Sequence, residues 1–156
     1  MPNKLVTVGA SAKALQMRGA FMIATLVAQF VIGMTLDLFI QLPAAHPGTT
    51  GSFWYRSVHG YGWAITNGGG AALTTHLVIG SIMALGAIAT LGFSIVAKHK
   101  AWIIASSFGL VGVWLAFLNG LEFINTGVDR HSMAMAMAFM IAFVAYGLGL
   151  YYGKKS

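Results

Sequence analysis

The sequence predicts an all-α membrane protein: an up-down bundle of four transmembrane helices with both termini in the cytoplasm. Three observations lead to this class. Of the 156 residues, 58% are hydrophobic and only 8% are charged, whereas soluble domains carry about 25% charged residues. Four apolar segments are each long enough to cross a hydrocarbon core of about 30 Å at 1.5 Å per residue. The basic residues collect on one side of those segments.

The four predicted spans belong to a single membrane domain, 1–156, and lie at 21–42, 72–97, 101–124 and 130–152. The first span is interpreted as a membrane helix rather than a signal peptide, because a signal-peptide core has only about 7–15 apolar residues. Pro43 closes this span, and residues 125–128 predict a tight turn between the third and fourth spans.

The connection at 43–71 is the only long loop that the sequence predicts, and no regular structure is expected within it. It is rich in aromatic residues between Phe53 and Trp63. Tryptophan and tyrosine favour the boundary between membrane and water. We therefore expect this loop to lie on the outer surface as a cover, because a connection of such length is uncommon unless it has a function.

Charge asymmetry predicts the orientation. Two basic residues, Arg56 and Arg130, map to the outer side of the bundle, and the other seven map to the opposite side: Lys4, Lys13, Arg18, Lys98, Lys100, Lys154 and Lys155. Short cytoplasmic flanks are enriched in Lys and Arg. This pattern predicts an integral protein of a bacterial or archaeal cytoplasmic membrane, with both termini inside, and argues against nucleic-acid binding despite the net charge of +6.

The absence of cysteine excludes disulfides, iron–sulfur clusters and covalently attached heme. Most acidic and histidine side chains map to the outer side, and an ionisable group in a membrane helix indicates function by default. We therefore consider Asp37, Glu122 and His59 as proton-handling residues. The alternative is that such residues mark the helix ends. Gln29 lies deeper and is predicted to donate a hydrogen bond between helices.

A histidine pair is the most informative feature. His76 and His131 lie near the outer ends of spans two and four, which run in the same direction and lie diagonally in an up-down bundle. Two imidazoles on facing helices can bind one heme b iron from both sides, and Arg130 is placed to pair with a propionate. Glycine and alanine near both histidines leave room for a macrocycle, although small residues equally permit close helix packing.

This arrangement resembles one four-helix half of heme A synthase, or a small b-type membrane cytochrome. The resemblance covers about residues 19–152 and rests on four spans, a long first outer loop, and His76 and His131. It implies that these two residues are the heme ligands. The synthases place a glutamate before a His-Arg pair in the outer loop region, whereas Thr75 and Leu77 flank His76 here. The resemblance thus implies heme binding rather than heme modification.

The sequence therefore predicts a heme-binding, cytochrome b-like protein with one bis-histidine heme near the outer face. It would act in electron transfer with a quinol or a redox partner protein, and oxidoreductase activity stays open. One alternative is a non-catalytic accessory subunit of a larger membrane complex or homo-oligomer. Another is a non-heme metal site at the outer face, formed by His46, His59, His76, His131, Glu122 and Asp37.

Overall fold

The computed structural model describes residues 3–43, 45–68 and 70–154, and this part of the chain is helical, without a β-strand. Its α-helices are α1 (Asn3–Phe39), α2 (Phe53–Trp63), α3 (Gly70–Val96), α4 (Lys100–Thr126) and α5 (Asp129–Tyr152). Four of them are long and apolar enough to cross a membrane, with mean hydropathies of 1.9 to 2.0. The predicted all-helical membrane fold is confirmed in this respect.

The four long helices form a ring in which each packs on two neighbours. α1 and α4 both pack on α3 and α5. α3 and α5 therefore lie diagonally, as the sequence predicted for spans two and four. The turn between α4 and α5 depends on Gly127, whose φ of 61° is left-handed and whose N–H donates to the carbonyl of Phe123. Glycine is the residue that ends helices in this conformation.

The helices α3, α4 and α5 match the predicted spans closely, but α1 does not. It begins at Asn3 rather than near residue 21 and ends at Phe39 rather than at residue 42. The residues before its apolar part include alanine, lysine, leucine and glutamine, which are good helix formers. The helix therefore continues beyond the segment that hydropathy alone detects.

The expectation that 43–71 lacks regular structure was wrong for its second half. α2 begins after Ser52, and a single π-helical turn, Ala64–Gly68, follows it. The side of α2 that carries Ser57 and Gly60 is buried, and the helix packs on α4. A Cβ atom at Gly60 would overlap the side chain of Asn125 on α4. Small residues at helical spacing thus bring α2 onto the bundle.

The end of the bundle that contains the start of α4 is tightly packed, and we call it the Trp102 half. The Trp102 side chain is 0% exposed. Its indole lies against Gly19 on α1 and Gly149 on α5, where a Cβ atom would approach too closely. Trp102 thus reaches the diagonal helix α1 and fills the centre of the bundle at this end. The opposite end, covered by α2, is called the α2 half.

Candidate ligand cavity in the α2 half

A cavity of about 170 Å³ lies between the four long helices in the α2 half. Apolar side chains from every long helix line it, among them Phe30, Leu77, Phe117 and Phe139. No lysine or arginine is among the lining residues. Largely apolar, concave sites with a few polar groups are the usual form of small-molecule sites, so this cavity is the candidate site.

α2 and the π-helical turn that follows it lie over this cavity, and together we call them the roof. Ala64 is 0% exposed and packs in an apolar cluster with Leu73, Leu77 and Ile124. Those three residues also line the cavity. The roof therefore shares its contacts with the cavity wall, and the segment predicted as a surface cover does lie over one end of the bundle.

His76 lies in the cavity wall and packs against α1. An alanine Cβ at Gly33 would lie only 3.0 Å from its Cε1 atom. One turn towards the centre, Gln29 Nε2 donates a 2.8 Å hydrogen bond to the backbone carbonyl of His76. Gly80 makes that bond possible, because a Cβ there would come within 2.8 Å of the amide nitrogen. The predicted interhelical role of Gln29 is therefore observed.

Two polar atoms at the cavity wall are buried and have no hydrogen-bond partner among the described residues. They are Nδ1 of His76 and Oε1 of Gln29. More than nine in ten buried polar groups in proteins are hydrogen-bonded, and each exception calls for an explanation. Both residues line the same cavity, so a polar ligand there can supply partners for both.

His131 is turned towards α4 rather than into the cavity. Its Nδ1 donates to Oδ1 of Asn119 at 3.3 Å, and Arg130 Nε donates to its Nε2 at 3.5 Å. His131 is not among the residues that line the cavity, whereas Ser132 and Met135 are. The described residues therefore do not bring His76 and His131 to one common cavity, and the bis-histidine heme site stays a prediction.

The predicted proton-handling residues occupy three different environments. Asp37 is exposed and lines the cavity near the end of α1. Glu122 is 9% exposed and accepts a 2.7 Å hydrogen bond from Nη2 of Arg56, with which it forms an ion pair. His59 is exposed on α2, with its ring 4.1 Å from that of Tyr55. Of the three, Asp37 is the residue that belongs to the cavity.

The Arg56–Glu122 pair was not predicted, although a signal for it exists. Arg56 is the only basic residue in the long connection, and Glu122 is the only acid near the outer end of the third span. In the structure the pair ties α2 to α4. A carboxylate paired with a guanidinium holds α2 on α4, and the proton-handling role of Glu122 stays a prediction.

His46 also serves the roof. Its ring stacks on Trp63 with centroids 3.9 Å apart. Its two ring nitrogens lie 2.9 Å from the carbonyl of Pro47 and 3.0 Å from that of Ile124. Within the described ranges, no three histidine or acidic side chains come together in a way that could hold a metal ion. The six residues of the alternative non-heme site are not assembled there.

Searches of protein-family models, of characterised proteins and of solved structures found no match to this chain. The resemblance to one half of heme A synthase therefore rests on the topology and the two histidines. The function has to be argued from the cavity itself.

Proposed function

We propose that this membrane protein binds the ring of a quinone or quinol in the cavity of the α2 half. The observation that carries the proposal is a pair of buried, unpartnered polar atoms, His76 Nδ1 and Gln29 Oε1, in the wall of an otherwise apolar cavity. The volume of about 170 Å³ suits one six-membered ring, since an apolar cavity of about 150 Å³ holds one benzene molecule.

The hydrogen-bonding groups of a quinol match the polar atoms of the cavity wall. A quinol hydroxyl can donate to the amide oxygen of Gln29 or to the unprotonated nitrogen of His76, and a quinone carbonyl can accept from the imidazole N–H. The hydrogen bond from Gln29 Nε2 to the His76 carbonyl holds the amide in place. Asp37, also in the cavity wall, carries a carboxylate that would accept a hydrogen bond from a quinol hydroxyl.

Heme b is the second candidate, and the position of His131 favours it. Its Nδ1 donates to Asn119, which leaves Nε2 as the unprotonated nitrogen; that nitrogen accepts from Arg130 Nε at 3.5 Å and would have to exchange this contact for the iron. Metal-binding histidines are generally held through the other ring nitrogen in this way. Bound heme would supply a one-electron carrier that a quinol can reduce. His76 and His131 would hold the iron, and the exposed Arg130 would pair with a propionate.

A macrocycle needs more room than the ring of a quinone. Pockets for larger small molecules measure about 300–1,000 Å³, compared with about 170 Å³ here. Heme binding would therefore require α3 and α5 to move apart in the α2 half. For this reason the quinone is the first candidate and the heme the second.

We further infer that both termini lie in the cytoplasm. Lys13, Arg18, Lys98, Lys100 and Lys154 all lie at the Trp102 end of the bundle. Lys155 and the side chain of Lys4, which the orientation prediction also uses, lie outside the described residues. With cations on the cytoplasmic side, α2 and the cavity occupy the outer half of the membrane.

Calorimetric titration of the detergent-purified protein with 2,3-dimethyl-1,4-benzoquinone, a ring with only small substituents, tests the first candidate. We expect saturable binding that His76→Leu and Gln29→Leu each weaken about tenfold, since one lost hydrogen bond of about 1.4 kcal/mol changes the affinity by that factor. Gln16→Leu is the matched control, because it makes the same change on α1 in the Trp102 half, where Gln16 bonds to Leu150.

The absence of saturable binding, or equal affinity in wild type and in both variants, would contradict the quinone proposal. An absorption spectrum of the same preparation tests the second candidate. A Soret band that is lost in both His76→Leu and His131→Leu would establish heme. Quinone binding that survives in His131→Leu would separate the two sites.

A further inference from the structure

The exposure of the cavity wall is uneven. On α3 and α4 the lining residues are buried or half-buried. The exposed ones lie on α1, directly after its end, or on α5: Phe30, Met34, Asp37, Ile40 and Ala136. The cavity therefore opens sideways between these two helices, and we call these five residues the α1–α5 mouth.

The mouth lies mostly within the membrane-crossing part of the bundle. Phe30 and Met34 are 44% and 39% exposed and belong to the apolar stretch Ala12–Phe39. Such side chains contact lipid. The part of the mouth on α1 extends from Phe30 to Asp37, a distance of about 10 Å for seven steps at 1.5 Å per residue. At its deeper end the Phe30 ring stacks on Phe139 with centroids 5.1 Å apart and closes the gap.

Access from water is covered by the roof. Ala64, the first residue of the turn that follows α2, is buried against Leu73 and Ile124. The Arg56–Glu122 ion pair holds α2 to α4. The His46 ring stacks on Trp63 at the end of α2, and its Nε2 lies 3.0 Å from the carbonyl of Ile124 on α4. The opening that remains leads into the bilayer.

We propose that the ligand of this cavity carries a long hydrocarbon tail, which leaves through the α1–α5 mouth into the bilayer. This inference rests on the proposed function and deepens it. A single ring fills about 170 Å³, so an apolar substituent has to continue through the mouth. There it stays among apolar side chains and lipid, an environment as apolar as the tail itself.

Charge at the mouth selects among molecules with such tails. Asp37 is its only charged residue, and no lysine or arginine lines the cavity. An ionised carboxylate repels the phosphate of an anionic phospholipid, because like charges at short distance destabilise each other. A neutral ring with an alkyl or isoprenoid tail fits these features, and the phospholipid is the competing occupant for the test.

The experiment compares the tail-less benzoquinone with its decyl-tailed analogue in phosphatidylcholine nanodiscs. Ala136→Trp places a large ring in the mouth. Met137→Trp is the matched control, because Met137 is the next residue on α5, is 63% exposed and does not line the cavity. We expect Ala136→Trp to weaken binding of the tailed quinone at least tenfold more than binding of the tail-less quinone. Met137→Trp should change neither.

A second variant should open the mouth rather than block it, because it removes a side chain. Phe30→Ala removes the stack that closes the deep end of the mouth, so the tailed quinone should associate at least threefold faster. Thermal unfolding shows whether each variant is folded.

Each result is decisive. If Ala136→Trp weakens both quinones equally or neither, the tail does not leave by this route, and the inference fails while the proposed function stands. Displacement of the tailed quinone by phosphatidylglycerol would assign the mouth to a phospholipid and overturn the inference. If the tail-less quinone does not bind the wild type, the proposed function itself fails, and the inference falls with it.

Discussion

The two halves of the bundle are made by the same four helices, yet the centre of one is filled by large side chains and the centre of the other contains a cavity. In the Trp102 half the indole and Tyr146, both 0% exposed, occupy the space that Gly19, Gly109 and Gly149 leave open. In the α2 half glycine again lines the interior, but no comparably large side chain occupies its centre. The comparison shows that small residues permit either close packing or a cavity, depending on what lies opposite them.

Both halves also contain buried polar atoms without a partner among the described residues. In the Trp102 half these are Nε2 of His99, Nε1 of Trp102 and the hydroxyl of Tyr146, and the Trp102 and Tyr146 rings pack directly against neighbouring helices. In the α2 half they belong to Gln29 and His76, which border a cavity, and to Arg56, Ser57 and Asn125, which do not line it. An unpartnered atom therefore indicates a ligand only where there is space for one.

Trp102→Ala should destabilise the Trp102 half and lower the free energy of unfolding more than any of the other proposed substitutions. Removing a buried tryptophan typically costs about 3–5 kcal/mol, and Trp102 contacts α1 and α5 as well as its own helix. Thermal or SDS-induced unfolding in detergent measures the loss. Trp54→Ala, at a side chain that is 72% exposed on α2, is the control and should change stability by less than about 0.5 kcal/mol. Similar losses in both variants would mean that Trp102 does not hold this half together.

An alanine-to-leucine substitution should change the free energy of unfolding in opposite directions in the two halves. Ala105 is 6% exposed and lies against the Trp102 half's Gly149, so Ala105→Leu should destabilise by roughly 1–3 kcal/mol through overpacking. Ala116 lines the cavity, so Ala116→Leu should stabilise by roughly 0.5–2 kcal/mol and abolish quinone binding. The measurements are unfolding and calorimetry. A destabilised Ala116→Leu variant would show that the cavity has no room for a side chain.

The smallest of these effects concerns the roof. The Arg56–Glu122 pair is only partly buried, with side-chain exposures of 27% and 11%, so a double-mutant cycle with Arg56→Gln and Glu122→Gln should give a coupling energy of roughly 1 kcal/mol. Arg130→Gln, at an exposed cation, should cost less than about 0.5 kcal/mol. A coupling energy of zero would mean that the pair does not fasten α2 to α4.

Much of the fold was predictable because the mean hydropathy of a window of about 20 residues identifies long apolar helices directly. The bounds of α3, α4 and α5 match the predicted spans to within two residues. α2 was missed because its glycines, such as Gly60, lower helix propensity, and its aromatic residues suggested an interfacial loop. The signal that could have found it is the helical spacing of the small residues Ser57, Gly60 and Ala64 after Ser52, where Ser is a favourable N-cap residue.

The site was only partly predictable. His76, Gln29 and Asp37 were identified as polar residues of the membrane helices, and all three line the cavity. The partnership of His131 with Asn119 was not foreseen. Residue order places His131 near the end of a helix, but the direction of its ring depends on rotamers and on the neighbouring helix.

The sequence by itself determined the class of the protein, because hydropathy, length and charge asymmetry are properties that each segment carries alone. It also determined which residues are polar in an apolar setting. Only the tertiary structure decided that α2 folds back as a roof, that Glu122 pairs with Arg56, and that the cavity opens between α1 and α5. These features depend on which side chains meet across helices. Such packing is set by shape and distance between segments far apart in the chain, and no periodicity within one segment reports it.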